Sequence, residues 1–174
     1  MDENLINKVM NGSEEHFRKL FDELSPDLFR IAKVRLRENE DINDAIQNTM
    51  IITYQSIIKK KKINNLKAWI IKVLINECNK IYNLNQKHVS IYERLKEKTN
   101  YYYESNENLD FESIIENLKY KDKLLITLYY GNRYTCEEIS KILKMNNNTV
   151  KSKILRIREK IKKELEKGGN KYEW

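Results

Sequence analysis

The stretch that decides the fold is TCEEISKILKMNNNTVKSKILRIREK, residues 135–160. Thr135 followed three residues later by Glu138 is a capping box, in which each side chain closes a backbone N–H at a helix start. Ile139, Ile142 and Leu143 then give the short helix an apolar stripe. The polar tetrad KMNN interrupts the pattern, and a longer helix follows with Val150, Ile154, Ile157, Ile161 and Leu165 at three- and four-residue steps. A capped short helix, a tight turn and a longer helix with a polar outer face form the layout of a helix-turn-helix, whose second helix enters the DNA major groove. Ile139, Leu143, Val150 and Ile154 are the expected lock between the two helices.

The outer face of the second helix is basic. Seven basic residues and one acid, Glu159, lie between Lys151 and Lys163. With Val150 and Ile157 turned inward, helical geometry sends Asn148, Ser152 and Arg156 outward and Lys153 to one flank. Arg and Asn match guanine and adenine edges, whereas Lys151, Lys153 and Lys160 suit phosphates, which position a helix without reading sequence. Asn147 and Thr149 complete the expected DNA-binding set at the helix start. The turn lacks the glycine common in such motifs; Lys144 or Met145 stands there, and Asn146 is expected to take the left-handed backbone.

Upstream, the helical rhythm continues. Phe17, Leu20, Phe21, Leu24, Leu28 and Ile31 form one stripe, capped by Ser13 and with a bend or break expected at Ser25–Pro26. Ile42, Ala45, Ile46, Met50, Thr53 and Ile57 form a second, with Asp41 as its cap, and Leu66, Trp69, Ile70, Val73, Leu74 and Ile81 a third, capped by Asn65. Trp69 suits either the core or stacking on a base, and its spacing with Leu66 and Val73 favours the core. Three amphipathic helices make one bundle. Beyond a polar stretch, Phe111, Ile114, Ile115 and Leu118 mark a further helix, and Leu124, Leu125 and Leu128 another that ends at Gly131.

Composition agrees with this all-α reading. Four Gly and one Pro in 174 residues leave little material for a many-turned β fold. A net charge of +7 suits a polyanionic partner, nucleic acid before membrane. Cys78 and Cys136 have no metal-ligand spacing and stand beside apolar helical positions, which predicts buried or half-buried thiols. His16 and His88 are isolated, and there is no phosphate loop or nucleophile elbow, so neither an enzyme, a metal site nor a cofactor is expected. The N-terminal MDENLINKVM is no signal peptide and no run is long enough to cross a membrane, so the reading is a cytoplasmic protein.

Two segments, LFRIAKVRLRENEDINDAIQNTMIITYQSI (28–57) and LKAWIIKVLINECNKIYN (66–83), resemble region 2 of the extracytoplasmic-function sigma factors of bacterial RNA polymerase. The block from about Phe111 onward resembles their region 4, in the same order. The resemblance implies two small helical domains: a region 2-like bundle over 1–83, a linker over 84–108, a region 4-like helix-turn-helix domain over 109–166 and a tail over 167–174. It implies a sigma factor that binds core RNA polymerase, with promoter DNA as its other partner and room for an anti-sigma protein. Asp41, Asp44 and Gln47 stand where the family meets polymerase, though a merely solvated face would read the same way. Lys61, Lys62, Asn64, Asn65, Asn76, Lys80 and Asn83 stand where the family handles the minus-ten element; Lys80 and Asn83 stand in place of the usual Asp and Arg, a departure that bears on the base preference and not on the role. The acidic run from Thr99 to Leu118 suits either a basic polymerase channel or a solvated linker. The alternative is a conventional regulator that binds an operator without polymerase, its first block serving dimerisation or an effector.

Overall fold

The computed structural model describes residues 3–59, 63–93, 115 and 117–167, and their regular structure is helical. The chain divides into two compact units, one of Met1–Leu84 with Lys141–Leu143 and the other of Asn85–Ser140 with Lys144–Trp174, so that most of the helix-turn-helix belongs to the second.

In the N-terminal unit, α1 (Glu3–Met10) was not expected from the sequence. Its Leu5 and Val9 are buried, and it packs on α2 (Glu14–Lys33), which in turn packs on α3 (Asn39–Ile58). Gly12 makes the α1–α2 corner at φ +88°, with Ser13 N–H reaching back to Lys8 O at 3.2 Å. Phe17, Leu20, Leu24, Leu28 and Ile31 of α2 are buried with Ile42 of α3 and with Ile70, Ile71 and Leu74 of α4 (Leu66–Glu93). Buried Thr49 and Thr53 donate to the carbonyls of Ala45 and Thr49, each at 2.7 Å, so hydroxyls within the core cost little. Tyr54 Oη donates to Glu14 Oε1 at 2.7 Å and its ring lies 5.1 Å from that of Phe17, tying α3 to α2; the Glu14 carboxylate raises the phenol's pKa.

Several local expectations are corrected. The helix does not break at Pro26: α2 runs through it, because Pro26 faces solvent while Leu24 and Leu28 are anchored in the core on either side. Ser13 is the N-cap residue but makes no side-chain cap; its hydroxyl bonds His16 Nδ1 at 2.7 Å. Glu38, not Asp41, precedes α3, and Asp41 sits in the first turn, where its charge suits the positive end of the helix dipole. Asn65 does cap α4, its Oδ1 accepting from Ala68 N–H at 2.9 Å. That helix then continues to Glu93, well beyond Asn83. Residues 84–93 contain neither Gly nor Pro, so nothing stops the helix when it loses its apolar stripe. Trp69 is half-buried rather than fully within the core.

In the C-terminal unit, α5 (Tyr120–Ile126) widens into a π-helical turn over Thr127–Gly131, closed by Asn132 N–H on Thr127 O at 2.9 Å. The left-handed residue after it is Arg133, φ 56°, rather than Gly131. The helix expected over 111–118 lies largely outside the described residues. Next come α6 (Cys136–Leu143) and α7 (Asn147–Lys167), which packs against α5. Leu125, Leu128, Ile139, Ile142, Val150, Ile154, Ile157, Ile161 and Leu165 are buried, whereas Leu143 is half-buried.

Candidate nucleic-acid interface

The capping box is formed in full. Glu138 N–H donates to Thr135 Oγ1 at 3.2 Å, and Thr135 N–H donates to Glu138 Oε2 at 2.8 Å. This sets where α6 starts, and Leu143 is its last residue. The chain reverses at Lys144, the left-handed residue (φ 52°, ψ 46°), with Met145 N–H bonding Ser140 O at 2.9 Å. Asn146 does not take that conformation. Its Oδ1 instead accepts from Asn148 N–H at 2.8 Å and caps α7, a task that only a short polar side chain performs at this point. A lysine in the left-handed region costs about 1–2 kcal/mol relative to a right-handed one. Lys144→Gly therefore raises the unfolding free energy by about 0.5–1 kcal/mol in a denaturant titration, after the extra backbone entropy of glycine is subtracted.

On α7, the buried stripe from Val150 to Leu165 leaves Asn148, Thr149, Lys151, Ser152, Arg156 and Lys160 exposed, with Lys153 half-buried at the flank. Asn147 is turned partly inward: it is half-buried, and its buried Oδ1 accepts no hydrogen bond among the described residues. Ser152 Oγ donates to Asn148 O at 2.9 Å, so it faces a ligand as an acceptor. Leu155, not singled out from the sequence, is 52 % exposed and falls on the same stripe as Asn148 and Ser152. Its position off the Ile154–Ile157 stripe was the available signal. Amide, hydroxyl, aliphatic and guanidinium groups on one convex face, flanked by lysines, match the edges and phosphates of a major groove.

On α4, Asn76, Lys80 and Asn83 are all exposed, and their spacing puts them on one face. Lys80 Nζ donates to Glu77 Oε1 at 2.6 Å. Arg35 lies 3.5 Å over the ring centroid of Tyr82, and both residues are half-buried. Asn64 and Asn65 are exposed at the start of α4, Asn65 with its carbonyl oxygen committed to the cap. Lys61 and Lys62 lie outside the described residues. Cys78 is buried and its thiol is pushed up to about 12 by burial, which keeps it protonated and inert; Cys136 is half-buried.

On α3, Asp44 and Gln47 are exposed and Asp41 is half-buried. The same outer side carries two apolar residues that the sequence reading passed over, Ile51 and Ile58, 53 % and 58 % exposed. Each lies off the buried stripe of Ile42, Ala45, Thr49, Thr53 and Ile57. No group of carboxylates, histidines and cysteines suited to a metal occurs among the described residues, and no described helix is long and apolar enough to cross a membrane.

Two family models match the chain, "Sigma-70 region 2" over residues 20–86 and "Sigma-70, region 4" over residues 108–161. RNA polymerase sigma factor SigV of Bacillus subtilis is 23 % identical over 148 residues, which span 81 % of this chain and 86 % of that protein. Among solved structures, CnrH in complex with the cytosolic domain of CnrY has a TM-score of 0.68 at 17 % identity, covering 95 % of this chain and 97 % of that one. The sigma factor RpoE in complex with the anti-sigma factor NepR, from Bartonella quintana, has a TM-score of 0.66 at 20 % identity, covering 86 % and 96 %.

Proposed function

The chain belongs to the sigma-70 family, as an extracytoplasmic-function sigma factor, and from that premise we propose how its two domains divide the work. It binds core RNA polymerase and promoter DNA and directs transcription initiation. The operator-binding alternative is not favoured, because region 2 and region 4 both match, in order, along one chain.

The division of labour rests on one observation: two exposed polar helix faces, of different chemistry, stand on separate units. The α7 face is basic and suits paired DNA, where phosphates supply most of the affinity. The α4 face of Asn76, Lys80 and Asn83 is amide-rich and suits the unstacked bases of an opened strand. Lys61, Lys62, Asn64 and Asn65 extend that second surface. Asp41, Asp44 and Gln47, with Ile51 and Ile58 beside them, offer polymerase an acidic rim around an apolar centre. The domain boundaries follow: a bundle over 1–83, a connection over 84–108 whose first part prolongs α4, and a helix-turn-helix domain over 109–166. The place of action is the cytoplasm, where polymerase and promoter are, and a protein that covers one of these faces would act as an anti-sigma factor.

Run-off transcription with purified core polymerase tests the reading. Specific starts are expected from duplex promoters only when the protein is added. Absence of any start on duplex and pre-melted templates, together with failure to co-purify with polymerase, contradicts it. A finer expectation concerns one side chain. Arg156→Ala lowers discrimination at one upstream base pair by about 1–3 kcal/mol, measured as the ratio of affinities for duplexes that differ at that pair.

A further inference from the structure

Glu77 and Lys80 face each other one turn apart on α4, but their surroundings differ sharply. The Glu77 side chain is 8 % exposed, the Lys80 side chain 65 %. The ammonium donates to the carboxylate at 2.6 Å. A carboxylate withdrawn from water depends on its charged partner, and removing that partner leaves a buried charge uncompensated. Lys80 is therefore tethered. An exposed lysine ordinarily swings on a four-carbon stem and follows the nearest phosphate. This one would abandon Glu77 by doing so.

The pair is also close to neutral as a unit, so its pull on a phosphate is weak. What it keeps is direction. An ammonium has three N–H donors, and Glu77 engages one, which leaves the others for a ligand. On the same face stand Asn76 and Asn83, exposed and uncharged, with groups suited to base edges rather than phosphates.

We propose that Glu77 is a positioning residue that fixes Lys80 as a hydrogen-bond donor to one unpaired base of the opened strand, selecting a base with a carbonyl (guanine or thymine) where adenine and cytosine carry an amino group. The inference rests on the reading of α4 as the surface that meets opened DNA. A carbonyl accepts from the held ammonium, whereas an amino group offers it only a competing donor. The Glu77–Lys80 pair thus acts as one specificity element.

The test is selection by the assembled holoenzyme from promoters with a pre-opened bubble and a randomised displaced strand, followed by sequencing of the bound pool. The wild-type protein should enrich guanine or thymine about tenfold at one position, the discrimination of one good polar contact. Glu77→Gln and Lys80→Gln should each erase the preference at that position and leave the others intact, and the double variant should do no more than either alone. Glu77→Gln with an unchanged pool but a lower melting temperature would make Glu77 merely structural and overturn the proposal. Lys80→Gln that lowers recovery of all sequences alike would make Lys80 a phosphate contact and overturn it too. A wild-type pool without preference anywhere sinks the α4 reading along with it. Preferences that neither variant alters sink the Glu77–Lys80 assignment alone.

Discussion

Changing Lys151, Lys153 and Lys160 together to Gln weakens duplex promoter binding by about a few hundredfold near 0.1 M salt and flattens the plot of log affinity against log salt by about 2.7. The size follows from counterion release. Each phosphate contact on duplex DNA frees close to one condensed cation, so three lost contacts remove about three such ions from the balance. Lys151 and Lys160 are exposed and Lys153 is half-buried at the flank, clear of the stripe that holds α7 to its unit. Glutamine keeps helix propensity close to that of lysine, so the helix itself should survive. The check is a salt titration of duplex affinity beside a circular-dichroism spectrum. An unchanged slope would mean that the lysines face solvent and meet no backbone.

Ile139→Ala has the second large effect, and it acts through stability. Ile139 has no exposed surface, like Val150 of the neighbouring helix, and lies in the core of the helix-turn-helix. Truncating a buried isoleucine costs about 2–5 kcal/mol through lost transfer energy and the cavity left behind. A domain of this size has about 3–8 kcal/mol in all, so the substitution takes a large share of it. We expect a thermal melt in which a low-temperature transition moves down by many degrees while the transition of the N-terminal bundle stays in place. Duplex binding is expected to disappear at growth temperature, whereas association with core polymerase, proposed above to run through α3, is expected to be retained. A single transition that shifts as a whole would show that the two units melt as one.

What could be read from residues alone was whatever depends on near neighbours in sequence. Thr135 with Glu138, Asn65 before Leu66, and the inward stripe of α7 are local patterns, and each stands in the structure as its spacing implied. Decisions that depend on competition between sites were harder. Asn146 is the better left-handed residue by chemistry, yet α7 needed its side chain as a cap, so the strained position fell two residues earlier, on Lys144. Pro26 signalled a break by its own chemistry, but the buried leucines around it held the helix together. The continuation of α4 past Asn83 left no periodic trace at its start, because Leu84, Asn85, Gln86 and Lys87 are exposed while still helical.

The candidate surfaces show the same limit. Polar residues on the outer faces of α3, α4 and α7 followed from geometry and from the family likeness. Ile51, Ile58 and Leu155 escaped notice because an apolar residue is assigned to the core by habit, and only the burial of its neighbours reveals that it points outward. The Glu77–Lys80 pair was visible as opposite charges three apart; that one member is buried and the other not was decided by how the bundle packs.

Site-directed photo-crosslinking tests most directly the proposal that two faces of the protein meet two forms of DNA. A crosslinking amino acid placed at Ser152 on α7, and in a second protein at Asn76 on α4, would be assembled with core polymerase on a duplex promoter and allowed to open it. The expected result is that the Ser152 probe joins paired DNA upstream, while the Asn76 probe joins only the displaced strand within the opened region. Both probes joining the same paired stretch, or the Asn76 probe joining DNA equally before and after opening, would contradict it.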